Sequence, residues 1–144
     1  MSSTSFKKTD YGKLVRFQIP SHARYISHTR NYFFHLCLEN GFSLYDALDL
    51  KLVLGESLSN VVSHAYEGNS NKPIFIDLHF DTERVEIRIR DYGRKTEPKD
   101  LKSFDLNDYR EGGIGLYLIK KLTDYYYLDL SVEIGNQLVL IKRK

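Results

Sequence analysis

The sequence has a single cysteine, Cys37, which excludes a disulfide within the chain. Cys37 lies in an apolar run, and this also argues against a cysteine-rich zinc site. Apolar runs are short throughout, and none approaches the roughly 20 residues that a membrane-spanning helix needs. Residues 1–12, which we take as a flexible N-terminal tail, are polar and show no apolar segment of an export signal. We therefore expect a cytoplasmic protein that is neither exported nor anchored in a membrane.

Neither sign of charge is in large excess. The formal net charge is +2 over 144 residues. The basic residues are spread along the chain except for the tail Lys142-Arg143-Lys144, which a solvated C-terminus explains. Direct nucleic-acid binding is therefore not indicated. With 42% hydrophobic residues, a chain of this length predicts one domain, residues 1–144, around one buried core.

Hydrophobic periodicity divides the chain into strands and helices. Alternation predicts a strand, helical spacing of apolar residues predicts a helix, and Gly, Pro and Asn mark the ends. The predicted elements are a strand at 14–19, helices over about 22–40 and 43–67, strands at 74–80 and 85–89, a helix over about 113–122, and a closing hairpin at 126–132 and 138–141 around a Gly135-Asn136 turn. This order predicts the α+β class: a two-layer α/β sandwich with a mixed, mainly antiparallel sheet and helices on one face.

The two central strands indicate which face of that sheet is buried. In each strand apolar residues alternate with polar ones, so that one face is apolar throughout. The polar positions are Asp77, His79, Glu86, Arg88 and Arg90. Because alternate residues of a strand face opposite sides, we expect these side chains to point away from the core and the helices to cover the other side only.

The second predicted helix carries Glu56, Asn60 and His64 at four-residue spacing. Residues four apart lie on the same side of an α-helix, so these three form one polar stripe. A carboxylate can act as a general base toward a hydroxyl or water, and an amide oxygen suits a Mg²⁺ ion that keeps phosphate and water ligands. A solvated helix face is the alternative interpretation, and for His64 a packed or capping role.

Asp91 ends a predicted strand at a position where the alternation calls for an apolar residue. It has the same parity as Val85, Ile87 and Ile89, so its carboxylate should point toward the edge of the core. Buried acids need hydrogen-bond donors, and the amino group of adenine is one that a small apolar cleft can admit. Gly93 would leave room for the ring. The alternative is an ordinary Asp-Tyr-Gly turn at a strand end.

A glycine-rich segment with Gly112, Gly113 and Gly115 leads straight into a predicted helix. Unpaired amide donors and a partial positive charge at a helix start attract phosphate. The spacing excludes a Walker loop, and the position near the C-terminus argues against a dinucleotide fold. The preceding residues 94–112 are polar, contain Pro98 and show no period. A loop of that length in a compact domain is typical of a lid or binding segment.

Taken in order, these motifs resemble a known family. The segment Leu52–Tyr66, which ends in His-Ala-Tyr, is similar to the N-box of the GHKL ATPases. A narrower likeness is to the anti-sigma-factor serine/threonine kinases, in which a strand ending in Asp-x-Gly, a proline soon after and a Gly-Gly-x-Gly-Leu helix follow the N-box. The resemblance covers about residues 14–143. Each motif alone is weakly specific, whereas their order is strongly so.

The resemblance implies a Bergerat ATP-binding fold, with ATP and Mg²⁺ as cofactors. Glu56 is implied as the general base and Asn60 as the Mg²⁺ ligand. Asp91 is implied as the acceptor of the adenine amino group, and Gly93 as the glycine that faces the ring. The implied phosphate-binding residues are Gly113, Gly115 and Leu116, next to an ATP lid at 94–112.

The family also implies an activity and partners. Its kinases transfer the ATP γ-phosphate to a serine or threonine of a small STAS-type anti-anti-sigma protein, and they hold a sigma factor inactive. The alternative is an ATP-binding module that switches protein partners without phosphotransfer. Lys95 supports it, because it stands where the wider superfamily has a second glycine. An exposed sheet face with Tyr125 and Tyr127 suggests a homodimer or partner surface, with ordinary edge-strand aromatics as the alternative.

Overall fold

The structure is a computed structural model that describes residues 13–97 and 113–144. For residues 113–116 it describes the backbone only. Three predictions therefore fall outside the described residues: the N-terminal tail at 1–12, nearly all of the lid at 94–112, and the part played by Gly112.

The described residues form three helices and five strands. In chain order these are β1 (Lys13–Pro20), α1 (Ala23–Glu39), α2 (Leu44–Asn60) with a π-helical turn (Val61–Ala65), β2 (Pro73–Phe80), β3 (Arg84–Asp91), α3 (Gly113–Leu122), β4 (Tyr125–Leu128) and β5 (Asn136–Arg143). Each of the two long helices has a side-chain cap at its start. Ser43 Oγ accepts a hydrogen bond from the Asp46 amide at 3.1 Å, and His22 Nδ1 accepts one from the Arg24 amide at 3.1 Å.

The strands form one sheet in the order β1-β2-β3-β5-β4. All four neighbouring pairs run antiparallel, so the sheet described here contains no parallel pair where a mixed sheet was expected. The α+β class and the two-layer sandwich are confirmed. Because β3 lies next to β5, the end of β3 and the start of β5 are neighbours in space although 45 residues separate them.

The core lies between the sheet and the three helices. The inward residues of β2 and β3 are at most 1% exposed, and α1 and α2 cover them with apolar side chains such as Phe33, Leu50 and Leu54. The polar residues of these strands lie on the other face, as predicted. There Asp77 pairs with Arg16 at 3.4 Å and Glu86 pairs with Arg88 at 2.6 Å. One face of the sheet is therefore packed and the other is polar.

The closing hairpin differs from its prediction. The alternation of Leu128, Leu130 and Val132 predicted a strand up to residue 132, but β4 ends at Leu128 and Leu130 is 69% exposed. The cause is local, because the Asp129 carboxylate accepts hydrogen bonds from the Ser131 amide at 3.0 Å and hydroxyl at 2.6 Å and so closes a turn. The predicted turn residue Asn136 is instead the first residue of β5, and it is buried.

Candidate nucleotide-binding site

Asp91 lies at the inner edge of the core, where its parity predicted it. It is the last residue of β3 and only 2% exposed. Its Oδ1 accepts a hydrogen bond from the Gly93 amide at 2.9 Å and one from Asn136 Nδ2 at 3.0 Å. Burial raises the pKa of the Asp91 carboxyl, and these two hydrogen bonds only partly offset that effect. The result is a desolvated acceptor whose position is fixed by two donors.

Asn136 is a residue of this cluster that sequence reasoning missed. It is 6% exposed and lies opposite Asp91 in the register of β3 and β5. Besides the Asp91 carboxylate, its amide contacts the backbone just beyond β3, at Arg94 and Thr96. Gly-Asn is a common turn pair, so the sequence alone predicted a turn residue. Only the pairing of two strands distant in sequence reveals that Asn136 faces the acid.

Gly93 is required by a close approach between two backbone segments. A Cβ atom at this position would lie 2.2 Å from the carbonyl oxygen of Ala65, and the Arg94 amide donates to that same oxygen at 2.7 Å. The chain beyond β3 therefore lies directly on the π-helical turn that follows α2. This contact accounts for the glycine independently of any ligand, while the role of Gly93 toward an adenine ring stays a prediction.

Tyr66 connects the same two segments through its hydroxyl group. That group accepts a hydrogen bond from the Tyr92 amide at 2.8 Å and donates one to the Pro73 carbonyl at 2.6 Å. The ring is buried at the end of the helical segment, so one side chain holds the beginning of β2 and the end of β3 together. The His-Ala-Tyr sequence signalled the motif, but it did not indicate this contact.

Glu56 and Asn60 lie on the last turns of α2, immediately before the π-helical turn. Both side chains are half-buried, and neither forms a hydrogen bond or ion pair with another residue in 13–97 or 113–144. The predicted stripe does not continue regularly to His64, because Asn60 is the last α-helical residue and the Tyr66 amide donates to Val61 five residues back. The wider turn changes the direction of His64 relative to Asn60. Single π-turns of this kind are frequent at functional sites.

Lys95 has a structural contact that its sequence position did not suggest. Its ammonium group donates hydrogen bonds to the carbonyl oxygens of Val132 and Glu133, in the turn between β4 and β5. Lys95 therefore holds the segment after β3 against the closing hairpin. It does so from the position where the wider superfamily has a second glycine. The substitution is accounted for by this contact, and it does not by itself indicate a degenerate site.

The backbone of the third motif is described as the start of a helix. α3 begins at Gly113, as predicted, and packs against α2. The roles of Gly113, Gly115 and Leu116 toward phosphate stay predictions, since the side chains up to residue 116 are outside the description. α3 thus packs against α2, and the end of β3, with the start of β5 beside it, lies on the π-helical turn that follows α2.

No group of three or more His, Cys, Asp or Glu side chains in 13–97 and 113–144 is arranged to hold a metal ion. None of the helices in those ranges is long and apolar enough to cross a bilayer.

The resemblance to ATPases of the histidine kinase type rests on three features: a helix with a carboxylate and an amide, a buried acid beside a glycine, and a helix that begins at a glycine. A model of the histidine kinase-like ATPase domain matches residues 19–142. Similar proteins include three called serine-protein kinase RsbW. That of Listeria innocua is 30% identical over 82% of this chain and 83% of its own length. That of Staphylococcus aureus is 32% identical over 76% and 75%, and that of Oceanobacillus iheyensis is 29% identical over 85% and 79%.

The chain therefore belongs to the histidine kinase-like ATPase family, in the branch that contains the RsbW serine-protein kinases. This confirms the resemblance drawn from the order of the motifs. The match spans β5 as well as α2 and β3, so it includes the hairpin that supplies Asn136.

The contact at Gly93 generates a prediction about stability. Gly93→Ala forces the two backbone segments apart and should cost about 3 kcal/mol of unfolding free energy. Gly68→Ala is the control, because Gly68 has φ +82° and nothing within 4 Å of an added Cβ. Its cost should be about 1 kcal/mol, from backbone conformation alone. Urea denaturation measures both, and equal costs would contradict the packing argument.

The raised pKa of Asp91 generates a prediction about pH. Its folded pKa lies above the ordinary value of 3.8, so between the two values the folded state binds more protons than the unfolded state. The contribution of this carboxyl to stability is therefore lost as the pH rises through that window. Asp91→Asn abolishes the effect, so its unfolding free energy relative to wild type should increase as the pH rises from 3.5. Urea denaturation across pH 3.5–7 tests this, and a constant difference would refute it.

Proposed function

We propose that the protein is an ATP-dependent serine/threonine kinase that phosphorylates a small antagonist protein and holds a sigma factor inactive, as a partner-switching regulator of transcription. The observation that carries this proposal is the buried Asp91 carboxylate, anchored beside the end of the helix that bears Glu56 and Asn60. The relatives called serine-protein kinase support transfer to a protein hydroxyl.

Asp91 is the acceptor for the amino group of adenine in this proposal. A hydrogen bond to a desolvated carboxylate is stronger than one in water, so a single buried acid can orient the base. The phosphates then extend along α2 toward the start of α3. Backbone amides at Gly113, Gly115 and Leu116 are the donors we assign to them, because a helix start combines unpaired N–H groups with a favourable dipole.

Asn60 is the residue we assign to Mg²⁺. Its half-buried side chain makes no capping hydrogen bond to the π-helical turn. A protein-only cage is not needed, because Mg²⁺ beside a nucleotide takes one or two protein ligands and completes its coordination with phosphate oxygens and water. A single amide oxygen fits that arrangement. When bound, the ion supplies charge neutralisation on the phosphates.

Glu56 is the residue we assign as general base. It lies one helical turn before Asn60, so the two side chains lie on the same side of α2. The hydroxyl oxygen of the protein substrate attacks the γ-phosphorus, the bond from that phosphorus to the ADP oxygen breaks, and the hydroxyl proton passes to the Glu56 carboxylate.

The partners we propose are a sigma factor and a STAS-type antagonist, in the cytoplasm. Cys37, the single cysteine of the sequence, is free, as is usual in a reducing compartment. Burial raises the pKa of its thiol to about 12 and so makes it unreactive. We also propose a homodimer that uses the outer face of the sheet. Leu14, Tyr125 and Tyr127 are each about half exposed on that face, although β-sheet aromatics of this kind also occur without a partner.

The catalytic assignment is tested by Glu56→Gln. This variant should retain the dissociation constant for ATP while phosphotransfer to the antagonist falls about 10²- to 10⁴-fold, because only the proton acceptor is removed. Glu39→Gln, the same change at an exposed position on α1, should behave like wild type. Radiolabelled ATP incubated with the protein and the antagonists encoded near it measures transfer, and calorimetry measures binding.

Two results of that experiment would change the conclusion. Transfer that is unaffected in Glu56→Gln would remove Glu56 from catalysis. ATP binding by wild type with no label on any candidate protein would favour the alternative, a nucleotide-binding module that switches partners without phosphotransfer.

The dimer is tested by charge on the outer face of the sheet. The double variant Tyr125→Lys/Tyr127→Lys should weaken self-association at least about tenfold, because aromatic side chains at an interface lose their packing and the new charges repel across it. Tyr45→Lys is the matched control, since Tyr45 is 81% exposed on α2. Sedimentation equilibrium measures the association constant, and an equal effect of both changes would contradict the assignment.

A further inference from the structure

The orientation of the Asn136 amide is fixed by the chemistry of its partners. Nδ2 donates to the Arg94 carbonyl at 2.9 Å and to the two Asp91 carboxylate oxygens at 3.0 and 3.3 Å, while Oδ1 accepts from the Thr96 amide at 2.6 Å. A carbonyl can only accept and a backbone amide can only donate, so the reversed amide would lose both backbone bonds. Asn136 therefore always presents a donor to Asp91.

The two oxygens of the Asp91 carboxylate differ in the hydrogen bonds that they accept. Oδ1 accepts from Gly93 at 2.9 Å and from Asn136 Nδ2 at 3.0 Å, whereas the contact of Oδ2 to the same Nδ2 is longer, at 3.3 Å. An amide N–H next to a carboxylate stabilises the ionised form, which can only accept. Oδ2 therefore has acceptor capacity left, and in the proposed function the amino group of adenine uses it.

The backbone leaves Asn136 no freedom to move away. Gly135, with φ +70°, packs so closely on Asp91 that an added Cβ would lie 2.1 Å from the Asp91 carbonyl oxygen. The Arg90 guanidinium spans the same strands, donating to the carbonyl oxygens of Asp91 and Asn136. The amide and the acid therefore form a fixed pair across β3 and β5.

We infer that Asn136 is a positioning residue that determines base selectivity: by holding Asp91 as an acceptor, it makes the site prefer a purine with an amino group at position 6 over one with a carbonyl there. This rests on the proposed function, in which Asp91 receives the base. A 6-oxo purine brings its carbonyl oxygen against the carboxylate, where two acceptors meet without a proton between them.

Asn136→Asp is the informative change, because it alters one atom and keeps the acceptor for Thr96. It places a second carboxylate beside Asp91, and two carboxylates at this distance share a proton. A protonated acid can donate to a 6-oxo group. The other ionisable groups at this place are the Arg90 guanidinium, which favours the ionised Asp91, and the buried Tyr66 phenol, whose own pKa burial raises.

The experiment compares the dissociation constants of ADP and IDP, which differ at position 6 of the purine, by calorimetry between pH 6 and 8.5. Wild type should prefer ADP at least about tenfold. In Asn136→Asp the preference should fall below about threefold at pH 6 and recover as the pH rises, because the shared proton is lost. A purely structural role of Asn136 would weaken both nucleotides alike and give no such pH dependence.

Gln137→Glu is the matched control. This variant makes the same amide-to-acid change at the next residue. Gln137 also lies next to an acid, because its Nε2 donates to Asp129 Oδ2 at 3.0 Å on the outer face of the sheet. Its preference for ADP should equal that of wild type at every pH. A pH-dependent loss in Gln137→Glu as well would show that added charge alone produces the effect and would overturn the inference.

Two further results would overturn the inference about Asn136 while leaving the proposed function intact. An Asn136→Asp protein that keeps the wild-type preference at every pH would show that Asn136 does not set selectivity. If that variant does not fold, Asn136→Ser replaces it, and an unchanged preference there has the same meaning. Wild type that fails to bind ADP, or binds both nucleotides equally, would instead remove Asp91 as the base acceptor and so refute the proposed function first.

Discussion

The contact between the Gly93 backbone and the Ala65 carbonyl is the constraint on which the site depends. Secondary structure alone leaves the end of β3 and the end of α2 free to lie at any separation. Here a missing side chain allows the two backbones to touch, the Arg94 amide donates to Ala65, and the Tyr66 hydroxyl bonds Tyr92. The acid of one element is thereby held next to the helix that carries Glu56 and Asn60.

The polar groups at this junction are buried, and their hydrogen bonds make that burial tolerable. An uncompensated carboxylate inside a protein is strongly disfavoured. Asp91 keeps two close donors, and the Asn136 amide that supplies one of them is itself satisfied on both sides. Such a network stabilises one arrangement of the chain, because each partner that is lost leaves another polar group unpaired. It therefore links the fold of the hairpin to the chemistry of the site.

The two faces of the sheet have different roles. The inner face is apolar and binds the helices, so it fixes α2 and α3 relative to the ends of the strands. The outer face carries ion pairs and half-exposed tyrosines, and of its residues Arg90 also donates to the carbonyl oxygens of Asp91 and Asn136. A surface that the core does not use is available for partners.

The sequence by itself determined the class of fold, the buried face of each central strand and the inward direction of Asp91. These follow from short-range periodicity, which alternation and helical spacing record directly. It gave the wrong end for β4 and a turn role for Asn136, and it implied a regular stripe as far as His64. Only the tertiary structure decided those points, together with the reasons for Gly93 and Lys95. Each depends on a hydrogen bond or close approach that local pattern does not encode, and most of these join segments far apart in the chain.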